Sequence, residues 1–469
     1  MEEQKKENEA LREQLLYRQK NGYDLIDTAE RLALEDYCNG YKAFLDAART
    51  EREAVREAIT QAEACGFVPF TPGMAIQPGM KLYRSNRGKA LLLAVIGEQP
   101  LSDGCTVAAA HVDSPRLDLK QLPLYEDGEM AYFKTHYYGG IKKYQWVTIP
   151  LELHGVVALK NGETVEIVIG RDAEDPQFVI TDLLPHLAGE QMQKKGPEII
   201  KGENLNLLAG SVPYADEGKE RVKLAVLSIL NDRYGITEED FLSAELEAVP
   251  ALPTRDIGLD RSFIGGYGHD DRVCAYAELK ALFDLHTPEK TAVCILADKE
   301  EIGSEGTSGM QSEAFECFME DLCAAQGVEK RRCFEKSLCI SADVCNAFDP
   351  VYPEVSEKRN NAKANYGMGI SKYTGARGKS GTNDADAETV GKLRAIFEKR
   401  GVVWQMAELG KVDQGGGGTV AMFMSKRNIS TIDAGVPVLS MHAPFEVVSK
   451  FDCYMTYKGV LAVYEENGK

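Results

Sequence analysis

The chain has 469 residues, too many for one ordinary hydrophobic core, so two structural units are the default expectation. Hydrophobic residues make up 44% and charged residues 27%, values that exclude a disordered or fibrous chain. Asp and Glu total 73 against 54 Lys and Arg, and a net charge of −19 repels phosphate backbones, so no nucleic-acid partner is expected.

The opening segment MEEQKKENEALREQLL has a charged helical pattern and lacks the apolar stretch of a signal peptide. No window approaches about eighteen uninterrupted apolar residues, so no membrane span is expected. The eleven cysteines are scattered, without a CxxC pair, and read as free thiols of a reducing, cytoplasmic compartment. Residues 1–64 carry apolar side chains at three- and four-residue intervals and predict helices. ALLLAVIG (90–97) and CTVAAAH (105–111) predict buried strands. From about 120 to 250 the texture changes to alternating segments such as YQWVTIPLELHGVVAL and TVEIVIG, with polar stretches such as KGENLNLLAG. That block reads as a β-rich insertion. Beyond 255, DDRVCAYAELKALFDL predicts an amphipathic helix, and TAVCILA (291–297), SLCISADV (337–344) and ISTIDAG (429–435) predict core strands. YMTYKGVLAVYEE predicts a closing helix, and the runs GARGKSGTND (375–384) and QGGGG (414–418) predict loops. Strands alternating with helices imply an α/β fold, a mixed sheet with helices on both faces.

Five segments put acids or histidines just after a predicted strand or at a helix start: HVDSPRLDLK (111–120), GHDDRVC (268–274), ADKEEIGSEG (297–306), SADVCNA (341–347) and SMHAPFE (440–446). In α/β sheets, ligand sites assemble at the carboxyl ends of strands. Histidines and carboxylates without a cysteine pattern suit Zn²⁺, Mn²⁺ or Co²⁺. A pair of cations about 3.5–4 Å apart needs a bridging carboxylate and an acid free to take a proton from water. The adjacent acids of KEEIGSEG could divide those roles. Taken singly, each segment has a plainer reading: a solvated helix start for the Glu pair, a helix cap for the Asp pair, a satisfied core residue for His111.

Together and in this order, the segments resemble the aspartyl aminopeptidase family of dinuclear zinc exopeptidases, and the likeness covers most of the chain. HVDSP is similar to that family's H-x-D-S-P segment, and EEIGS, SAD and the late MH are similar to its Glu pair, strand-end Asp and carboxy-terminal His. The resemblance implies that Asp270 bridges two divalent metal ions. It gives His111 and Asp343 to one ion and Glu301 and His442 to the other. Zinc is the expected metal, with Mn²⁺ or Co²⁺ as alternatives. Glu300 is implied as the general base, and Asp113 as the acid supporting His111. Also implied are a catalytic domain of residues 1–118 and 255–469, an inserted β-rich dimerisation domain of residues 119–254, and a tetrahedral homododecamer acting on peptides. His136 is the candidate for reaching a neighbouring subunit's pocket. Lys372 is the candidate pocket cation, and Gly417 and Gly418 are candidates for close backbone approach to substrate. The chain departs from the family in having Asp271 where Asn is usual and in lacking a W-x-D-R-type run in the insertion. Its preference for acidic or neutral amino-terminal residues is open. The expected activity is removal of single residues from the amino terminus of peptides. The competing readings are a silent assembly protein of the same fold and a deacylase of small amides.

Overall fold

A computed structural model describes residues 2–215 and 217–469. The amino-terminal portion is helical, as its periodicity predicts. Helix Thr28–Ala47 starts where the Asp27 carboxylate accepts the Glu30 amide N–H, and helix Glu51–Ala64 starts in a reciprocal box between Thr50 and Glu53.

A nine-stranded sheet forms the main body. Its spatial order is β1 (Val68–Pro69), β2 (Lys81–Asn86), β3 (Ala90–Val95), β13 (Ala292–Ala297), β4 (Thr106–His111), β14 (Leu338–Ser341), β18 (Ser430–Gly435), β16 (Met368–Ser371) and β17 (Trp404–Met406). The four central strands, β13, β4, β14 and β18, run parallel, and antiparallel partners flank them. Central parallel strands are covered on both faces, which is why they read as unbroken apolar runs. Alternate residues serve two cores. Leu91, Leu93, Ala108 and Cys294 pack with the helices Thr28–Ala47, His269–Phe283 and Lys450–Glu466. Leu92, Ala94, Val107 and Val293 pack with Ala314–Ala325 and Val420–Lys426.

A six-stranded antiparallel sheet has the order β8 (Thr164–Ile169), β7 (Leu151–Ala158), β10 (Ala244–Pro250), β5 (Arg116–Asp127), β6 (Met130–Tyr138) and β9 (Leu207–Gly210). Two features differ from the sequence expectation for this block. The alternating segment 144–159 becomes strand only from Leu151, because Lys143–Gln145 turns as a 3₁₀ helix and Pro150 lacks the N–H a ladder needs. A helix, Arg221–Tyr234, covers the sheet by burying Val222, Val226 and Leu230 at four-residue spacing. A small third sheet joins β11 (Arg255–Ile257), β12 (Phe263–Gly266), β20 (Glu446–Ser449), β19 (Pro437–Leu439) and β15 (Cys345–Asn346). Among the described residues, no helix is long and apolar enough to cross a membrane.

Candidate metal centre

Because β4, β13, β14 and β18 are parallel, their carboxyl ends share one edge of the sheet. His111 is the last residue of β4. Glu300 and Glu301 open a 3₁₀ turn three residues beyond β13, and Asp343 lies two residues beyond β14. Asp270 sits in the first turn of the helix His269–Phe283, and His442 in the turn between β19 and β20. The five predicted ligands therefore reach one place from five separate elements.

Asp270 is at the middle. Its Oδ1 lies 3.1 Å from His111 Nε2, and its Oδ2 lies 3.1 Å from His442 Nε2. His442 Nε2 is also 3.4 Å from Glu301 Oε2, and His111 Nε2 is 3.8 Å from Glu300 Oε2. Three sets of possible ligand atoms each fall within 4.8 Å: His111, Glu300 and Asp343; His111, Asp270 and Glu301; and Asp270, Asp271 and Asp343.

Neighbouring groups fix how these side chains point. His111 Nδ1 meets the Asp113 carbonyl at 2.9 Å, and His442 Nδ1 meets the Gly140 carbonyl at 2.8 Å. With Nδ1–H donating to a carbonyl, each ring turns its Nε2 lone pair toward Asp270. The Asp113 carboxylate is fully buried. It accepts the backbone N–H groups of Glu300 (3.1 Å) and Glu301 (3.2 Å) and the hydroxyl of Tyr138 (2.8 Å). Glu446 clips the other side, accepting the amides of Asp270 (3.1 Å) and His442 (2.7 Å). Tyr138 and Glu446 escape sequence reasoning. Glu446 lies inside the SMHAPFE segment, but only its histidine carries a ligand signal.

The electrostatics describe acids crowded out of water. Burial raises Glu300 to about 7. Burial also pushes Glu301 and Asp343 well up, helped by the neighbouring carboxylates. Asp270 goes the other way: burial opposes its charge, but hydrogen bonds from His111 and His442 hold it well below the usual carboxylate range. His442 is raised to about 10 because Asp270 and Glu301 outweigh its burial. Among the described residues, buried Glu301 Oε1 and Asp271 Oδ1 have no hydrogen-bond partner. Uncompensated buried acids of this kind, with two imidazole nitrogens facing them, fit divalent cations of the hard or borderline class.

A cavity of about 510 Å³ opens beside this cluster. Gly417 and Gly418 line it, as do Met422, Phe423 and Met441. Thr419 Oγ1 donates to Asp433 Oδ1 at 2.6 Å and ties the glycine loop to β18. Gly416 has φ +96, and a Cβ there would stand 2.6 Å from the Ala376 backbone, so no larger residue fits. Two of the predicted substrate residues lie elsewhere. Lys372 is not on the cavity wall, although Ser371 and Tyr373 on either side of it are. His136 is exposed on β6, with Nδ1 2.8 Å from the Tyr137 carbonyl. His269 turns away from the acids to meet the Tyr41 hydroxyl at 2.6 Å.

A His-and-carboxylate cluster at the parallel strand ends of an α/β sheet is a donor set suited to divalent cations, an arrangement that metal-dependent hydrolases use. The family described as Aminopeptidase I zinc metalloprotease (M18) matches residues 44–464, and the chain belongs to that family. It is 48% identical over 457 residues to a protein named probable M18 family aminopeptidase 1 from Clostridium acetobutylicum, covering 96% of this chain and 98% of that one. It resembles the crystal structure of an M18-family aminopeptidase from Thermotoga maritima with a TM-score of 0.93 and 46% identity, over 96% of this chain and 100% of that one. A dodecamer structure of mApe1 from S. cerevisiae shares the fold, with a TM-score of 0.74 and 20% identity, over 92% and 97% of the two chains. The chain is accordingly a metalloaminopeptidase, a hydrolase of a zinc-metalloprotease family.

Proposed function

We propose that the cluster holds two divalent cations and that Glu300 is the general base for hydrolysis of the first peptide bond. The observation that carries this reading is the Asp270 carboxylate, which presents one oxygen to each of two histidines at 3.1 Å. In this assignment Asp270 bridges, His111 and Asp343 complete one site, and Glu301 and His442 complete the other. Ions held by these residues would supply Lewis-acid chemistry, polarising the scissile carbonyl and acidifying a nearby water. Glu300 takes that water's proton and delivers it to the leaving amine. Its backbone N–H is held by Asp113 at 3.1 Å, which keeps the side chain in place during the transfer. Asp113 thus supports His111 and both glutamates. Gly417 and Gly418 let the substrate backbone approach the cavity wall.

The cavity favours a neutral first residue. Its wall carries Met422, Phe423, Met441 and Leu409, and among the described residues no Lys or Arg lines it. An acidic side chain reaching past the metal cluster there would meet Asp433 without a Lys or Arg to pair with it. His136 is proposed to act at a neighbouring subunit's pocket, as its exposure allows. Lys372 is retained only as a residue at the cavity's margin.

The same proposal covers organisation. Residues 1–118 and 255–469 form the catalytic domain, and residues 119–254 form the dimerisation domain. The six-stranded sheet, whose strands run from Arg116 to Pro250, supports that division. A tetrahedral homododecamer is proposed in line with the assembly of mApe1. The eleven free cysteines favour a cytoplasmic location.

The test is a panel of leucyl, aspartyl and N-acetyl-leucyl amides assayed with and without a chelator. Chelator-sensitive release of leucine from the free-amine substrate, faster than aspartate, is expected. Equal cleavage of the acetylated substrate would sink the aminopeptidase reading in favour of a deacylase.

A further inference from the structure

Resting on the metal reading above, we propose that Tyr138, Gly139 and Gly140 at the end of β6 are a positioning segment through which the six-stranded sheet sets the geometry of the metal centre. Each of the three residues meets a different group there. The Tyr138 hydroxyl donates to Asp113 Oδ2 at 2.8 Å, and the same carboxylate receives the amides of Glu300 and Glu301. Gly139 has φ +71, and a Cβ on it would lie 3.3 Å from Glu301 Oε2 and 3.4 Å from Glu301 Cβ. The Gly140 carbonyl faces His442 Nδ1 at 2.8 Å. Three consecutive residues therefore bear on both acids of the Glu pair, one of them the proposed base, and on a predicted histidine ligand.

The segment is rigidly backed. The Arg116 guanidinium sits 3.9 Å from the centre of the Tyr138 ring. Arg116 is in turn fixed by Asp118 (2.8 Å), Glu247 (3.2 Å) and Glu51 (3.5 Å), which belong to β5, β10 and the helix Glu51–Ala64. Arg116 is 5% exposed, Glu247 4% exposed and Glu51 fully buried, so those contacts are shielded from solvent competition, while Asp118 closes the cluster on its more exposed side. β5 and β6 pair at Arg116 and Tyr138, which joins this anchor to the tyrosine through the ladder as well. A shift of β6 relative to the nine-stranded sheet would move Asp113, Glu301 and His442 together. Groups that orient ligands in this way typically change metal affinity by about 10–100-fold when removed.

The experiment loads wild type, Tyr138→Phe, Gly139→Ala and the control Tyr125→Phe with Co²⁺. The control removes a hydroxyl from the same sheet; Tyr125 stacks on Tyr132 at 5.6 Å and pairs with it on β6, well along the strand from Tyr138. Visible d–d absorption, cobalt affinity against a chelator, and melting of the metal-free proteins are recorded. Tyr138→Phe is expected to weaken cobalt binding about 10–100-fold. It should also shift the d–d bands, and because Asp113 Oδ2 keeps the Glu301 amide as a donor, melting of the metal-free protein should stay close to the control. Gly139→Ala should do at least as much, by crowding Glu301. In wild type, cobalt loading should slow amide exchange at residues 138–140, a measurement independent of how the variants fold. Wild-type spectra and affinity in both variants, or unchanged exchange across 138–140, would overturn the proposal. A wild-type protein that takes up no cobalt would instead remove the metal reading, and this inference with it.

Discussion

Glu300→Gln isolates the chemical step from the construction of the site. The substitution keeps the shape of the side chain and its backbone, whose N–H remains bonded to Asp113 at 3.1 Å. It removes only the ability to accept a proton. Glu300 Oε2 stands 3.8 Å from His111 Nε2, farther than either Asp270 oxygen stands from its histidine, so the proposed ligand set survives. Loss of a positioned general base costs about 10²–10⁴ in rate. That corresponds to about 3–5 kcal/mol in the barrier. Burial also holds Glu300 near 7, so the neutral amide removes a charge that the folded chain accommodates poorly, and stability should not fall. The assay is steady-state hydrolysis of a leucyl amide, with metal content and thermal melting measured on the same preparation. The expected result is near-normal metal content, an unchanged or slightly raised Tm, and kcat lower by at least a hundredfold. Loss of both metals, or activity within tenfold of wild type, would refute the assignment of Glu300 as base.

Three further outcomes are expected. The acid limb of the kcat profile should lie at or below about pH 7, because Glu300 in the proposed role of base works as a carboxylate and cations at the proposed site would favour that form over the value of about 7 set by burial; an acid limb clearly above pH 7 contradicts this. Metal should stabilise the protein more as pH rises through the acid range. The Glu300 carboxyl is raised from 4.5 to about 7, so the stability of its protonated form in the metal-free chain is full below 4.5 and lost as pH climbs to 7, where nearby cations would favour its ionised form. A metal-induced gain in Tm that is flat across that window would count against the crowded-acid picture. Thr419→Val should cost about 1–3 kcal/mol by chemical denaturation, since it leaves the buried Asp433 oxygen without its 2.6 Å donor; no change in the denaturation midpoint would show that this clip does not hold the glycine loop.

The parts of this molecule that were legible in its sequence are those whose environment is one-dimensional. TVAAAH and AVCILA are buried on both faces, so their strands appear as unbroken apolar runs, and the chemistry-bearing residues follow directly at their ends. The helix Arg221–Tyr234 was hidden because it rests a narrow stripe of three buried residues on a sheet and is otherwise polar. Tyr138 and Glu446 carry no ligand chemistry of their own. Tyr138 acts on Asp113 only because β5 and β6 pair as a hairpin, and Glu446 acts because β20 returns beside β12. Lys372 illustrates a limit of another kind. It follows the last residue of β16, where the side-chain alternation that would assign its face has ended.

Anomalous diffraction at the zinc edge from zinc-loaded crystals of wild type and Asp270→Ala tests the central claim most directly. Wild type should give two peaks about 3.5–4 Å apart, flanking Asp270, with His111 and Asp343 on one and Glu301 and His442 on the other. Both peaks should vanish or fade in Asp270→Ala. A single peak in wild type, peaks ligated by other residues, or full occupancy without Asp270 would contradict the two-cation account.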